Sequence, residues 1–559
     1  MFLKAKAQVS DCLTAALKKA MAEGRLPEAE IPEFAVEVPA DSTHGDFASN
    51  IAMVSARAFR KSPKMIADAI LEGLSLEGTC LSRCEVAGAG FINFFLSESW
   101  YGDSVKAVLE QNENFGRSDF GKGKRYIVEY VSANPTGPMH IGNARGGAIG
   151  DGLASVLDWA GFEVCREFYI NDAGNQIAKF ALSLDLRYQQ LYAEGIEMPE
   201  DSYHGEDIVN HAKAFAEIHG DKYMSASEEE RRNALVEFAL PKNIEGLERD
   251  LKKYRIVYDN WFKESTLHNN GEAKKVVDML TERGYTYEQD GAIWFKAEQF
   301  GADKDFVLRR SNGFFTYVVP DIAYHYNKLV TRNFDIAIDV LGADHHGYVP
   351  RLKAALQALG IDPERLNVVL MQMVRLVRGG ETVKLSKRSG KAITLVTLLD
   401  DIPIDAARFY FNLREANSQF DFDLDLAVEQ SSQNPVYYVQ YAHARICSIL
   451  KNLKAEGINT EPCADNAGEL LVCDEEKQLI RHLSFMPVQI IEAAKDYDPS
   501  KMTRYATELA TLFHKFYNAC RVKCDDEKLM QSRLALCVAV KTAIQNVLTL
   551  LKIDAPEVM

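Results

Sequence analysis

Two short stretches of this chain carry side chains suited to handling a nucleoside triphosphate. In SANPTGPMHIGNARGG a strand-like run ends near Asn134, a Pro/Gly loop follows, and His140-Ile141-Gly142-Asn143 opens a helical pattern. The first N–H groups of a helix lack intrahelical acceptors and sit at the positive end of its dipole, so such a junction favours a phosphate. Gly142 lets a flat base approach the backbone, and His140 can donate to phosphate oxygens where negative charge builds up. In VKLSKRSGKAITL, Lys384 and Lys387 share a loop with Ser386, Ser389 and Gly390, from which two ammonium groups can swing onto a triphosphate. Each stretch also has a plainer reading. The first also reads, as the lesser alternative, as a Gly-rich capping turn, and a K-x-S-K string on its own is more often a solvated surface loop.

The elements around them decide more. From Arg125 the pattern predicts a strand over 125–134, a helix over 141–161 and a strand over 162–170, which is a right-handed parallel unit of the doubly wound type. The polar, strand-poor stretch 176–280 reads as a helical insertion between two halves of that sheet. Apolar runs over 334–344 and 366–377 resume it as buried parallel strands. Each candidate motif thus follows a strand, on opposite halves of one sheet. Upstream, 1–112 reads as a small α+β domain with an amphipathic first helix and the strand-like run Phe91-Ile92-Asn93-Phe94-Phe95. The catalytic unit spans 113–400. Beyond Pro403 helical periodicity over 434–453 and 475–553 predicts an all-helical bundle, 401–559.

At 559 residues the chain exceeds one hydrophobic core and suits about three domains. With 47% hydrophobic and 26% charged residues it has the balance of a folded soluble protein. The N-terminus lacks the unbroken apolar run of a secretion signal, and the run 534–553 is interrupted by Lys541, Gln545 and Lys552, so no membrane span is expected. The ten cysteines have no C-x-x-C spacing or His partners, which predicts reduced cytoplasmic thiols and no protein-bound structural metal. A formal charge of −16 argues against a general nucleic-acid coat, while leaving room for a local basic face that holds a phosphate backbone.

HIGN and KLSKR together resemble the two signature motifs of class I aminoacyl-tRNA synthetases, which that family usually writes HIGH and KMSKS. EYVSANPTGPMHIGN, TYVVPDIAYH, GADHHGY, LSKRSG and NPVYYVQYAHAR are similar to the bacterial arginine enzymes of that family. STHGDFASN resembles their additional N-terminal domain, and APEVM the close of their helical anticodon-binding domain. The likeness runs over nearly the whole chain, with two departures. Asn143 stands where the family has its second signature His. Lys387 is present and Gly137 stands before the first motif, where many arginine enzymes lack the second loop lysine and carry a compensating lysine at the earlier place.

The resemblance implies a Rossmann-like catalytic domain that ligates L-arginine to tRNA(Arg) through an arginyl-adenylate, with ATP as substrate and Mg2+ on its triphosphate. His140, Asn143, Lys384 and Lys387 would be catalytic, and Gly142, Gly342, Asp344, His345 and Ser386 would complete the ATP site. A guanidinium is planar, always charged and carries five donors, so its pocket needs carboxylates in fixed directions. By resemblance Glu129, Tyr317 and Asp321 would read it, while Ser132, Asn134, His140 and His345 would lie nearer the α-amino and carboxylate end. Without that context Tyr317 is as readily a core aromatic and Asp321 a helix N-cap. Tyr438, Tyr441, Arg445 and Met559 would meet the anticodon loop, although tyrosines at that spacing are commonly helix packing. Phe47 and Asn50 would face the tRNA elbow. A monomer is expected. A small nucleotidylyltransferase, or a tRNA-binding scaffold without activity, are the competing classes.

Overall fold

The computed structural model describes residues 1–39, 41–383 and 393–559; Lys384, Ser386 and Lys387 lie outside the described residues. The first section forms the helix Phe2–Ala22 and an antiparallel sheet ordered Val36–Glu37, Phe47–Ser49, Phe91–Leu96, Leu81–Ala87. Phe2, Val9, Leu13 and Leu17, at helical spacing, are the buried stripe of the helix.

The centre is a five-stranded, wholly parallel sheet. Its order is Leu366–Met371, Ile336–Gly342, Arg125–Glu129, Glu163–Ile170, Asn260–Lys263. The chain therefore winds outward in both directions from Arg125–Glu129, and the switch point lies between that strand and Ile336–Gly342, where open α/β sheets bind ligands. The helix Ile141–Trp159 crosses between the first two strands. It packs so closely that a Cβ on Gly150 would stand 2.2 Å from Cγ of Tyr130, so only glycine fits there.

Two expectations about this sheet need correction. The stretch 176–280 does form the helices Gly174–Gln189, Glu206–His219 and Glu228–Lys253, but it also holds the edge strand Asn260–Lys263, fastened by Trp261 stacked on Phe168 at 4.4 Å. The run 366–377 is not one strand. It breaks after Met371, and Arg375–Arg378 joins a separate small sheet with Glu381–Thr382 and Asp421–Asp423. Buried Arg145 holds the break, donating to the carbonyls of Gln372, Glu415 and Ser418.

The C-terminal helices Pro435–Ala455, Asp474–Ser484, Met486–Lys495, Ser500–Ala519 and Glu527–Leu550 form the expected bundle. Glu527–Leu550 is by length and composition apolar enough to cross a bilayer, but 78% of its most apolar stretch is buried inside the protein, as in a core helix. The sections are tied together. Arg481 pairs with Asp46 of the first section at 2.5 Å, and Phe2 meets Phe485 edge-on at 4.9 Å. Fully buried Asp151, on the helix after the first motif, binds Arg408 at 2.5 Å and Lys552 at 2.8 Å, and so links the catalytic sheet to the end of the bundle.

Candidate active site

A cavity of about 460 Å³ opens at the switch point, within the range of small-molecule sites. Of the residues expected in the site, Glu129, Ser132, His140, Gly142, Asn143, Asp321, Gly342, Asp344 and His345 all line it. They come from the ends of two strands, a helix N-terminus and the helix Val318–Tyr326, over a sequence span of more than two hundred residues. Asn134 is not among the lining residues and is exposed. Tyr317 stands at the rim, 71% exposed, its ring 6.1 Å from that of Tyr348, which lines the wall. Tyr317 is thus no core aromatic, and Asp321 is not the N-cap of its helix: Tyr317 holds that place.

The first motif is built as a reciprocal cap. His140 is the N-cap of Ile141–Trp159; its Nδ1 accepts from the Gly142 amide at 3.1 Å, while Asn143 Oδ1 accepts from the His140 amide at 3.0 Å. A Cβ on Gly142 would lie 3.0 Å from the His140 ring, so glycine lets the imidazole fold onto the helix end. Asn143 in place of a histidine is therefore a capping side chain, which an imidazole at that position would do less well.

The chain leaves Arg125–Glu129 through Val131 and Ser132 in left-handed backbone, φ 71° and 41°. That is costly for a β-branched residue, of order 1–3 kcal/mol, and marks a constrained turn. It places Ser132 Oγ to donate to Glu129 Oε1 at 2.9 Å and to accept from the Tyr169 amide at 3.1 Å.

Strand register sets Asp339, Glu129 and Glu167 side by side on three adjacent strands. Parallel neighbours in register point to the same face, so three carboxylates form a row. Lys328, fully buried, donates to Glu129 Oε2 at 2.5 Å and Asp339 Oδ1 at 2.9 Å. His325 Nε2 meets Asp339 Oδ2 at 2.6 Å, and Arg332 pairs with Glu167, which also accepts from Tyr324 at 2.6 Å. Burial alone would pull the pKa of Lys328 and His325 down, but the surrounding carboxylates, Asp339 foremost and Glu129 with it, together overcome it and raise both. Burial would push Asp339 up, and Lys328 and His325 overcome that to hold it low. Among the described residues, no such cation stands within bonding distance of the Asp321 carboxylate. Burial lifts it to about 6, opposed by the hydroxyl that Tyr348 donates to its Oδ2 and by nearby His325, and assisted by Glu129 and Glu264. The carboxyl groups of Glu129, Asp339 and Asp321 line the cavity together with His325, a wall that suits a cation.

The second motif falls outside the described residues, but its flanks do not. Thr394 forms an isolated bridge with His140, and the Leu395 amide donates to the Met139 carbonyl at 2.9 Å. The chain therefore re-enters directly beside the first motif, and Thr394 caps Leu395–Asp401.

On the C-terminal bundle, Tyr437 and Tyr441 stack with rings 7° from parallel, Tyr438 contacts His514 at 5.1 Å, and Arg445 lies over Tyr517 at 4.2 Å. Tyr441 and Met559 are exposed. Tyr437, His514 and Tyr517 belong to this patch and escaped sequence reading, although Tyr437 lies within the motif NPVYYVQYAHAR. In the first section Phe47 corrects the expectation: it is fully buried, packed on Phe2 at 5.0 Å, and cannot present a tRNA-facing surface. Asn50 is half-buried and accepts from the Ala35 amide at 3.0 Å.

Sequence reading also missed Tyr169, His325, Lys328, Asp339 and Tyr348; a carboxylate inside the apolar run FDIAIDVLGAD was the available signal, because a buried charge needs a partner. Elsewhere Cys473, Glu476 and Cys520 come within 4.8 Å of one another, a grouping invisible in their spacing. Glu476 is committed to Arg533 at 2.8 Å and the Cys473 amide at 3.0 Å, and burial pushes the Cys520 thiol up to about 12.

Comparison with known proteins adds independent findings. Residues 7–96 match the arginyl tRNA synthetase N terminal domain, 104–447 the catalytic domain of class I (R) tRNA synthetases, and 439–559 the DALR anticodon binding domain. The chain is 54% identical to an arginine–tRNA ligase of Caldanaerobacter subterraneus subsp. tengcongensis, covering 100% of this chain and 99% of that protein. It is 50% identical to one of Acetivibrio thermocellus, covering 99% of each. A solved structure from Campylobacter jejuni described as an arginyl-tRNA synthetase superposes with TM-score 0.75 at 33% identity, covering 83% of this chain and 100% of that one. The Thermus thermophilus arginyl-tRNA synthetase shares the fold, with TM-score 0.74 at 23% identity over 97% of this chain and 99% of that one.

Proposed function

This chain belongs to the arginyl-tRNA synthetase family and charges tRNA(Arg) with arginine, using ATP, and from that premise we propose which of its residues do so. The observation that carries the reading is the carboxylate-walled cavity at the switch point, opening beside the helix N-terminus capped by His140. Asp321 and Glu129 take the guanidinium, with Tyr317 closing over it from the rim. Ser132 and His345 face the amino-acid end, and Asn134 reaches it only on a movement of its loop. A lysine substrate would leave part of this acceptor set unpaired, at roughly 1 to 3 kcal/mol for each abandoned group.

The arginine carboxylate attacks the α-phosphorus of Mg·ATP in line, giving arginyl-adenylate and pyrophosphate. His140 and the N–H groups after it hold phosphate oxygens, Gly142 admits the base, and Asn143 keeps the helix end in shape. Gly342, Asp344 and His345, at the end of the Ile336–Gly342 strand, border the ribose and adenine. Lys384, Ser386 and Lys387 close on the triphosphate; the bridge from Thr394 to His140, which brings the chain beside the first motif only a few residues after them, supports that assignment. Mg2+ arrives with the nucleotide, as part of the substrate.

The three units 1–112, 113–400 and 401–559 divide the labour among tRNA elbow, chemistry and anticodon. Tyr438, Tyr441 and Arg445, with Tyr437 beside them and Met559 at the end of the chain, stack splayed anticodon bases. Asn50 is the remaining elbow candidate. Ten free thiols support a reducing, cytoplasmic setting, and the protein acts as a monomer. The nucleotidylyltransferase reading has no use for the N-terminal and anticodon-binding domains, and a scaffold has none for a carboxylate-walled cavity beside His140. Exchange of labelled pyrophosphate into ATP, with arginine, lysine or citrulline and with or without tRNA(Arg), tests the proposal. Exchange confined to arginine supports it, and exchange with lysine at comparable efficiency refutes the wall.

A further inference from the structure

Lys328 is unusual in its placement. It does not line the cavity, yet both carboxylates it holds, Glu129 and Asp339, do. It sits in the π-helical turn Asn327–Thr331 that continues Val318–Tyr326, the helix carrying Asp321. Such turns interrupt a helix at an energetic cost and gather at functional sites. Here the wider turn drives a lysine under the sheet's carboxyl ends, where its side chain is wholly excluded from solvent. A buried ammonium in a pocket for a cation is counterintuitive, and it needs a reason beyond stability, since a buried ion pair is often no better than apolar packing.

The groups facing Lys328 come from every neighbouring element. Glu129, Asp339 and Glu167 lie on the three strands, Cys165 is on the same strand as Glu167, and Tyr324 and His325 are on its own helix. Glu167 is already balanced by Arg332 and Asp339 also receives His325. The cation that bridges Glu129 to Asp339 is Lys328. Its bond to Oε2, with Ser132 on Oε1, fixes the plane of the Glu129 carboxylate from both sides.

We propose that Lys328 is a positioning residue for arginine recognition: its ammonium, bonded to both, fixes Glu129 and Asp339 as oriented acceptors along the cavity wall before any substrate arrives. Without it, two adjacent carboxylates face each other in a poorly solvated place, and one of them must keep a proton at neutral pH. Arginine binding would then have to expel that proton. Lys328 also fills the spot between the two acceptors, so an incoming cation meets their outer edges and Asp321. This rests on the assignment of the cavity to arginine.

The test is the pH profile of arginine-dependent pyrophosphate exchange at saturating tRNA(Arg) and ATP for the unaltered enzyme, Lys328→Met and Lys328→Arg. For Lys328→Met, kcat/KM for arginine is expected to fall about 10-fold or more at pH 7 and to recover to within about 3-fold by pH 9.5, while kcat at saturating arginine changes less than about 3-fold. Lys328→Arg, which keeps the charge, restores the profile. A deficit equal at every pH, or no deficit, overturns the proposal, because a merely structural lysine would not move the profile. Should Lys328→Met fail to fold, as judged by lost tRNA binding, calorimetry on the unaltered enzyme decides. Arginine binding at pH 8, in two buffers of different ionisation heat, is expected to release less than about half a proton, and a larger release overturns it. Unchanged kcat/KM for arginine in Glu129→Gln and Asp321→Asn would instead sink the arginine assignment itself.

Discussion

Replacing Asp321 by asparagine separates binding from folding in a way few substitutions can. The side chain keeps its shape and can still accept the Tyr348 hydroxyl, but the negative charge is gone. A hydrogen bond to a charged group is worth about 1.5 to 3 kcal/mol, so kcat/KM for arginine should fall roughly 10- to 150-fold at pH 7.5. The pKa of about 6 against an ordinary 3.8 supplies the second half of the argument. A carboxyl raised by burial favours the fold most when protonated: its contribution is complete below pH 3.8 and is lost as pH rises through about 6. At neutral pH the ionised group therefore costs the fold on the order of 1 to 3 kcal/mol, the lower figure allowing for partial solvent contact. Asp321→Asn removes that cost. Its melting temperature should exceed that of the unaltered enzyme at pH 8, and the difference should shrink toward zero as pH falls to about 4. Meanwhile the unaltered enzyme's kcat/KM should drop about 10-fold between pH 7 and pH 5, as the ionised fraction of Asp321 falls from about 0.9 to about 0.1, and the variant should lose that step. A variant less stable at every pH, or an unaltered profile flat through pH 6, would refute the reasoning.

Other expectations follow from the same geometry. His140→Ala should lower kcat about 100-fold or more in pyrophosphate exchange while KM for arginine changes little, since the imidazole faces phosphate and not the guanidinium. Gly150→Ala places a methyl 2.2 Å from Tyr130 Cγ and should lower stability by about 1 to 3 kcal/mol or more in chemical denaturation, with the helix that starts at the first motif displaced. Tyr441→Ala should raise KM for tRNA about 5- to 100-fold in aminoacylation, with exchange at saturating tRNA nearly unchanged.

What could be read from the residues was local. The strand, loop and capped helix around His140 lie within about thirty residues and are governed by capping and hydrophobic period, so both the junction and its chemistry were legible in order. The parallel sheet followed from the same alternation. What escaped was set by partners distant in sequence. Lys328, His325 and Asp339 read as scattered polar residues in apolar runs until register brings Asp339 beside Glu129. Asn260–Lys263 is four residues long, too short for a periodic signal, and is held by pairing with Glu163–Ile170, far away in sequence. The continuous apolar text over 366–377 hides a break because the residue that holds it, Arg145, lies more than two hundred positions earlier. Phe47 was placed on a surface by its motif, and packing against Phe2 decides otherwise. Lys384, Ser386 and Lys387 are legible only as sequence.

The central claim is that the cavity beside His140 takes arginine by its guanidinium, and a crystal structure with L-arginine and a non-hydrolysable ATP analogue tests it most directly. The guanidinium is expected at about 3 Å from carboxylate oxygens of Asp321 and Glu129, with Lys328 still bound to Glu129 Oε2. A guanidinium elsewhere, or one seated there with Asp321 and Glu129 turned away, would contradict the account.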